Sequence, residues 1–159
     1  MTPNPAAPVA PWRIESVNPA SLAPPAGHFD RAVRIGPWLF VSGTSALTNR
    51  TGPVAERRLP DDFRAQADEA FDNITRVLEE VGATFADVFE IRATLARASD
   101  FAELNELFRE RIPGRGFVGS GYVAEFLGPG MLIEVEVKAY LPAFADPTPA
   151  PAPQIGASA

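Results

Sequence analysis

The stretch that decides the fold is Phe63–Gly82, FRAQADEAFDNITRVLEEVG. Within it Phe63, Ala67, Ala70, Phe71, Ile74, Leu78 and Val81 recur at helical steps, so they share one side of a helix. Pro60-Asp61-Asp62 supplies a start with an acidic cap, and Gly82 supplies a stop. A helix with one apolar stripe must lay that stripe on another element, and the flanking segments read as the strands that receive it.

Downstream, Val88–Leu95 reads as a half-buried strand with Phe89, Ile91, Ala93 and Leu95 on one side. Ser99-Asp100 is the expected cap of a second helix carrying Phe101, Leu104, Phe108 and Ile112, which Pro113 ends. Two more strands, near Phe117–Ala124 and Met131–Leu141, flank a turn at Gly128-Pro129-Gly130. The last strand alternates Met131, Ile133, Val135, Val137, Ala139 and Leu141 against Leu132, Glu134, Glu136, Lys138 and Tyr140. Upstream, Trp12–Val17, Phe29–Ile35 and Trp38–Gly43 are rich in β-branched and aromatic residues, with Gly36-Pro37 as a turn between the last two.

The order β-β-β-α-β-α-β-β predicts an α+β fold: a single domain over residues 12–142 with about six strands and two helices packed on one face. Residues 1–11 and 143–159 are rich in Pro and Ala with few charges, and both read as disordered tails. Two helices leave the other sheet face bare, and that face carries Trp38, Phe40, Leu132 and Tyr140. Such a surface is covered most simply by further copies of the chain. A symmetric homo-oligomer is expected, with any polar pocket on that face lying between subunits.

Composition narrows the function. The chain has 159 residues, 46% of them hydrophobic, and a formal net charge of −6. That charge disfavours nucleic acid, whose backbone is held by clustered Lys and Arg. With no cysteine and a lone histidine, His28, disulfides, thiolate nucleophiles, cysteine-ligated metals and multi-histidine metal sites are excluded. No apolar run is long enough to span a membrane and no secretory leader is evident, so a cytoplasmic protein is expected.

The residues left to carry chemistry are few. Arg115, between Gly114 and Gly116, presents a planar fork that matches a carboxylate; an exposed turn arginine is the plainer account. Glu134 shares a strand face with Tyr140. Partly removed from water it would exchange protons near neutral pH, and fully solvated it would be a cross-strand partner of its neighbours. Asn105 interrupts an apolar helix face, where it either ties a loop backbone or touches a ligand. Ser42-Gly43 ends a strand, and either presents backbone groups to a ligand or marks a strand-to-turn transition.

Taken in order, these pieces resemble the reactive-intermediate deaminase (Rid, or YjgF) family. The resemblance runs from about Asn18 to Leu141. It rests on Leu39-Phe40-Val41-Ser42-Gly43, Gln66 with Asn73-Ile74, Val81-Gly82-Ala83 before Asp87-Val88, Asp100-Phe101, Asn105, Pro113, Arg115 and Ile133-Glu134-Val135-Glu136. It implies a chorismate-mutase-like fold with a mixed sheet, a homotrimer with clefts between subunits, and cofactor-independent hydrolysis of enamines or imines of amino acids to a keto acid and ammonia. Carried over by position, Arg115 grips the substrate carboxylate, Glu134 activates the attacking water, and Asn105 and Ser42-Gly43 line the cleft. No metal or cofactor is implied.

The departures bear on selectivity. Phe29 stands where the family commonly has tyrosine, Gly116 replaces a small polar residue, and the segment between Arg115 and Glu134 is longer, with Tyr122 as a candidate source of the missing hydroxyl. A specialised enzyme performing another proton-transfer or hydrolytic step, and a non-catalytic trimeric binder of small ligands, are the alternatives. A ribonuclease is disfavoured by the acidic balance and the lack of a histidine pair.

Overall fold

The computed structural model describes residues 13–145. Strands β1 (Ile14–Val17), β2 (Ala32–Ile35) and β3 (Trp38–Thr44) precede helix α1 (Phe63–Glu80), strand β4 (Val88–Leu95), helix α2 (Phe101–Arg111), and strands β5 (Val118–Val123) and β6 (Ile133–Tyr140). They form one sheet in the order β1-β2-β3-β6-β4-β5. All neighbours are antiparallel except β4 and β5, so the sheet is mixed, as expected.

Helix α1 forms where the periodicity places it. The Asp62 carboxylate accepts the Ala65 N–H at 2.8 Å. At the other end Ala83 N–H reaches Leu78 O and Gly82 N–H reaches Glu79 O, while Gly82 adopts φ +71°, a backbone state that favours glycine. Phe71, Ile74, Val77 and Leu78 are wholly buried against Leu39, Val135, Val137 and Ala139 of the sheet. Gln66 is buried on the same helix and serves as a clip: its amide donates to Pro60 O and Gly130 O and accepts from Leu132 N–H. That clip fixes the turn leading into β6.

Several expectations need correction. Phe29 lies outside β2, because the Asp30 carboxylate accepts from Ser16 Oγ and Asn18 Nδ2 and Arg31 N–H donates to Asn18 Oδ1, drawing the chain off the sheet. Phe89 does not face the helices. A register irregularity between Val88 and Glu90 puts Val88 in the core and turns Phe89 to the open face, where its ring meets Trp38 edge-on at 5.5 Å. Asp100 does not cap α2: its backbone is already helical, closing a short turn at Ala98–Asp100, and its carboxylate takes Arg97 Nε at 2.9 Å. Leu107, not Phe101, joins Leu104 in the core.

The described residues reach 145, three positions into the expected C-terminal tail. A short turn at Pro142–Phe144 sets the Phe144 ring 4.0 Å beneath the Arg34 guanidinium carbon. Trp12 and the greater part of both expected tails lie outside the described residues.

Both helices pack on one sheet face, and the opposite face is open. Trp38, Phe40 and Tyr140 are exposed there, with Trp38 and Tyr140 paired across β3 and β6 at 5.0 Å between ring centroids. Lys138 Nζ bridges to the Glu90 carboxylate beside them at 2.8 Å. Every residue of the edge strand β5 is exposed.

Candidate functional site

Glu134 stands near the start of β6 on the open side, opposite Thr94, which in turn opposes Tyr122 on β5. Its carboxylate is half-buried and accepts no hydrogen bond among the described residues. Burial, with the Glu136 carboxylate nearby as the lesser cause, holds its pKa above the ordinary carboxylate value of 4.5. A group so placed is a proton acceptor whose acid form persists to higher pH than that of a solvated glutamate.

The space for that carboxylate is made by Gly43. A Cβ there would stand 2.6 Å from Glu134 Cδ and Oε1, closer than atoms can approach. Gly43 and Glu134 line one cavity of 270 Å³ together with Phe29, Leu47, Arg31 and Arg57. Of the sequence-predicted residues, then, Phe29, Gly43 and Glu134 come together. Ser42 does not join them: its hydroxyl donates to Asp30 O and its N–H to Arg31 O, so it latches β3 to the segment that carries Phe29.

A second cavity, of 250 Å³, lies between α2 and β5 and is lined by Asn105, Phe101, Phe108, Phe117 and Ser120. The Asn105 side chain makes no hydrogen bond among the described residues, so the tie to a loop backbone that the sequence left open is not made. Arg115 follows α2 in an exposed loop and pairs with no acid among the described residues. Gly114 and Gly116 on either side have φ of +74° and +146°, values that favour glycine and shape the loop around the arginine. Phe117, packed edge-on against Phe108 at 5.7 Å, anchors that loop to α2.

One chain therefore carries two separate groups of candidate residues. Phe29, Gly43 and Glu134 line the first cavity, Asn105 lines the second with Arg115 and Gly116 in the loop beside it, and Arg115 lines neither. Tyr122 is exposed on β5, two strands from Glu134 on the same face.

Sequence reasoning missed Arg31 and Arg57. Arg31 lies within the strand expected over Phe29–Ile35 but falls just before β2 and is buried, and Arg57 sits in an irregular loop with no periodic signal.

Residues 20–141 match the family model described as Endoribonuclease L-PSP. The chain belongs to this family, the Rid (YjgF) family. A 2-iminobutanoate/2-iminopropanoate deaminase of Dermatophagoides farinae is 32% identical over 133 residues, covering 80% of this chain and 95% of that protein. A RutC family protein of Pyrococcus abyssi is 29% identical over 116 residues, covering 73% and 88% respectively. Among solved structures, RidA from an Antarctic Psychrobacter superposes with a TM-score of 0.71 at 25% identity, covering 80% of this chain and 99% of that one. This Rid-family chain thus has the chorismate-mutase-like α+β fold that its sequence implies. A relative from Rattus norvegicus, 28% identical over 124 residues, is likewise named a 2-iminobutanoate/2-iminopropanoate deaminase. No helix of the described residues is long and apolar enough to cross a membrane.

Proposed function

We propose that the protein hydrolyses the imine, or the enamine that tautomerises to it, of a small amino acid to the keto acid and ammonia, at a site shared between copies of the chain. The observation that carries this reading is Glu134: a desolvated carboxylate that accepts no hydrogen bond among the described residues, lying in a cavity, in a member of the Rid family. An iminium carbon is already electrophilic, so the protein has only to position a water and move protons.

Glu134 accepts a proton from the water as its oxygen bonds to the iminium carbon, and the C=N π pair moves to nitrogen. The protonated Glu134 then returns that proton to the amine of the carbinolamine. The C–N bond breaks as the hydroxyl becomes the carbonyl, and its proton leaves with the nitrogen. Iminium ion and water thus become keto acid and ammonium, with Glu134 restored and no redox step.

The substrate carboxylate falls to Arg115. An exposed guanidinium without an acidic partner among the described residues, on a loop shaped by two glycines, is suited to two parallel hydrogen bonds. Because Arg115 lies outside the Glu134 cavity of its own chain, the working site takes Arg115 and Asn105 from one copy and Glu134 and Gly43 from the next. A homotrimer, the family's implied assembly, closes such a ring of heterologous contacts and covers the apolar open face.

The test is complementation. Arg115→Ala and Glu134→Ala variants should each lose ammonia release from 2-aminoacrylate generated in situ. Refolded together in equal amounts, they should regain roughly a quarter of wild-type activity, since that share of random interfaces pairs an intact Glu134 with an intact Arg115. Wild-type protein no faster than buffer would end the deaminase reading, and a mixture no better than its components would end the shared site.

A further inference from the structure

The Glu134 cavity holds more positive charge than the proposed reaction uses. Arg31 is buried, and among the described residues its guanidinium donates to backbone carbonyls alone: Nε and Nη2 to Ala23 O, and Nη2 also to Pro24 O and Thr48 O. Arg57 lines the same cavity and, among the described residues, likewise reaches only carbonyls, with Nε on Gly52 O and Nη1 on Leu47 O. Neither forms an ion pair with an acid among the described residues. Arg31 Nη1 and Arg57 Nη2 have no partner there.

Holding the partly exposed Arg57 guanidinium beside the buried Arg31 is unfavourable unless an anion joins them. Carbonyl dipoles fix where the forks point, but they carry no net negative charge. Glu134 is not that anion. Among the described residues no ion pair joins its carboxylate to either guanidinium. The acid and the cations therefore occupy different parts of one cavity, with ligand-sized room in 270 Å³.

Resting on the deaminase reading for the role of Glu134, we infer that Arg31 and Arg57 form a second anion subsite, and that the preferred substrate is the imine of an acidic amino acid. The carboxylate next to the imine carbon goes to Arg115, and the distal carboxylate goes to the Arg31–Arg57 pair.

The binding test uses keto acids, the products. Calorimetric titration of wild-type protein should show 2-oxoglutarate binding at least about tenfold tighter than 2-oxobutanoate, as expected for new charge-assisted hydrogen bonds. In Arg57→Gln the two affinities should converge to within about twofold, through loss of 2-oxoglutarate binding with 2-oxobutanoate unchanged. Arg57 is partly exposed, so this variant is expected to fold even if Arg31→Gln, which loses its grip on three carbonyls, does not. Equal wild-type affinities, or a variant that weakens both ligands alike, would overturn the subsite.

A turnover arm separates the two readings. Imines released in situ by an amino-acid oxidase from glutamate and from 2-aminobutanoate are compared as substrates. Hydrolysis of both without preference for the diacid overturns the subsite and keeps the deaminase. A diacid binding preference that Arg57→Gln abolishes, with neither imine hydrolysed faster than in buffer, keeps the subsite and removes the deaminase.

Discussion

Replacing Gly43 by alanine separates the position of the acid from the integrity of the fold. The added Cβ would meet Glu134 Cδ and Oε1 at 2.6 Å and Cγ at 3.1 Å. Carbon atoms rest at about 3.5 Å or more, so the carboxyl end must retreat by about 1 Å. That end terminates a flexible side chain with no hydrogen bond among the described residues to hold it, and Gly43 is not among the glycines with positive φ, so alanine fits the backbone. Stability should change by no more than about 1 kcal/mol in either direction. Catalysis should not be so tolerant, because a reacting group misplaced by about 1 Å costs on the order of a hundredfold in rate. Gly43→Ala should therefore lower kcat for ammonia release from 2-aminoacrylate by about two orders of magnitude, or ~2.7 kcal/mol in the barrier, with the thermal midpoint close to wild type. Full activity in the variant would refute the placement of Glu134 as the acting base. Loss of activity together with a large fall in thermal midpoint would refute the claim that the glycine serves the site and not the fold.

The remaining predictions concern charge and core. With Glu134 acting as a base, kcat/KM should fall on the acid side as its raised pKa is passed, at a pH above 4.5. Glu136→Gln removes the neighbouring like charge and should shift that acid limb to lower pH, as a pH–rate profile of each protein will show. The folded state holds the Glu134 proton more tightly than the unfolded chain, so wild type should lose stability relative to Glu134→Gln as pH rises from 4.5 through the raised value, and be level above it. Thermal melts at stepped pH would check that sign. Phe71→Ala should cost about 3–5 kcal/mol in denaturant melts, since its buried ring stacks on Phe85 at 5.3 Å and supports Phe108 of α2 at 5.9 Å.

The sheet and helices were legible because most of their residues obey one period from end to end. Ile133, Val135, Val137 and Ala139 alternate without interruption, and the α1 stripe runs unbroken into Gly82. Legibility failed where a side chain captured the backbone or a strand gained a residue. Asp30 and Asn18 unpair the start of β2, and the irregularity beside Val88 reverses Phe89, neither of which a repeating pattern encodes. In the site, Gly43 and Glu134 were legible singly, but their contact was not. It depends on a register shift in β3 between Val41 and Thr44, opposite β6, that no spacing announces. Arg31 was invisible for a related reason: its partners are carbonyls at Ala23, Pro24 and Thr48, which any sequence would supply.

The two separate groups of residues also bear on why an imine hydrolase would be built between chains. Arg115 sits on an exposed loop and Glu134 is half-buried in a cavity, so in an isolated chain water screens the guanidinium, which lies outside the cavity that holds the acid. Under the proposed assembly the surface that covers Trp38, Phe40 and Tyr140 would also bring a guanidinium over the cavity of the next copy, excluding water and strengthening its hold on a carboxylate in the same step. The apolar open face and the division of polar residues are then one requirement. On that reading a copy of the same chain would cover the sheet and in the same step bring Arg115 to a cavity that its own chain's Arg115 does not line.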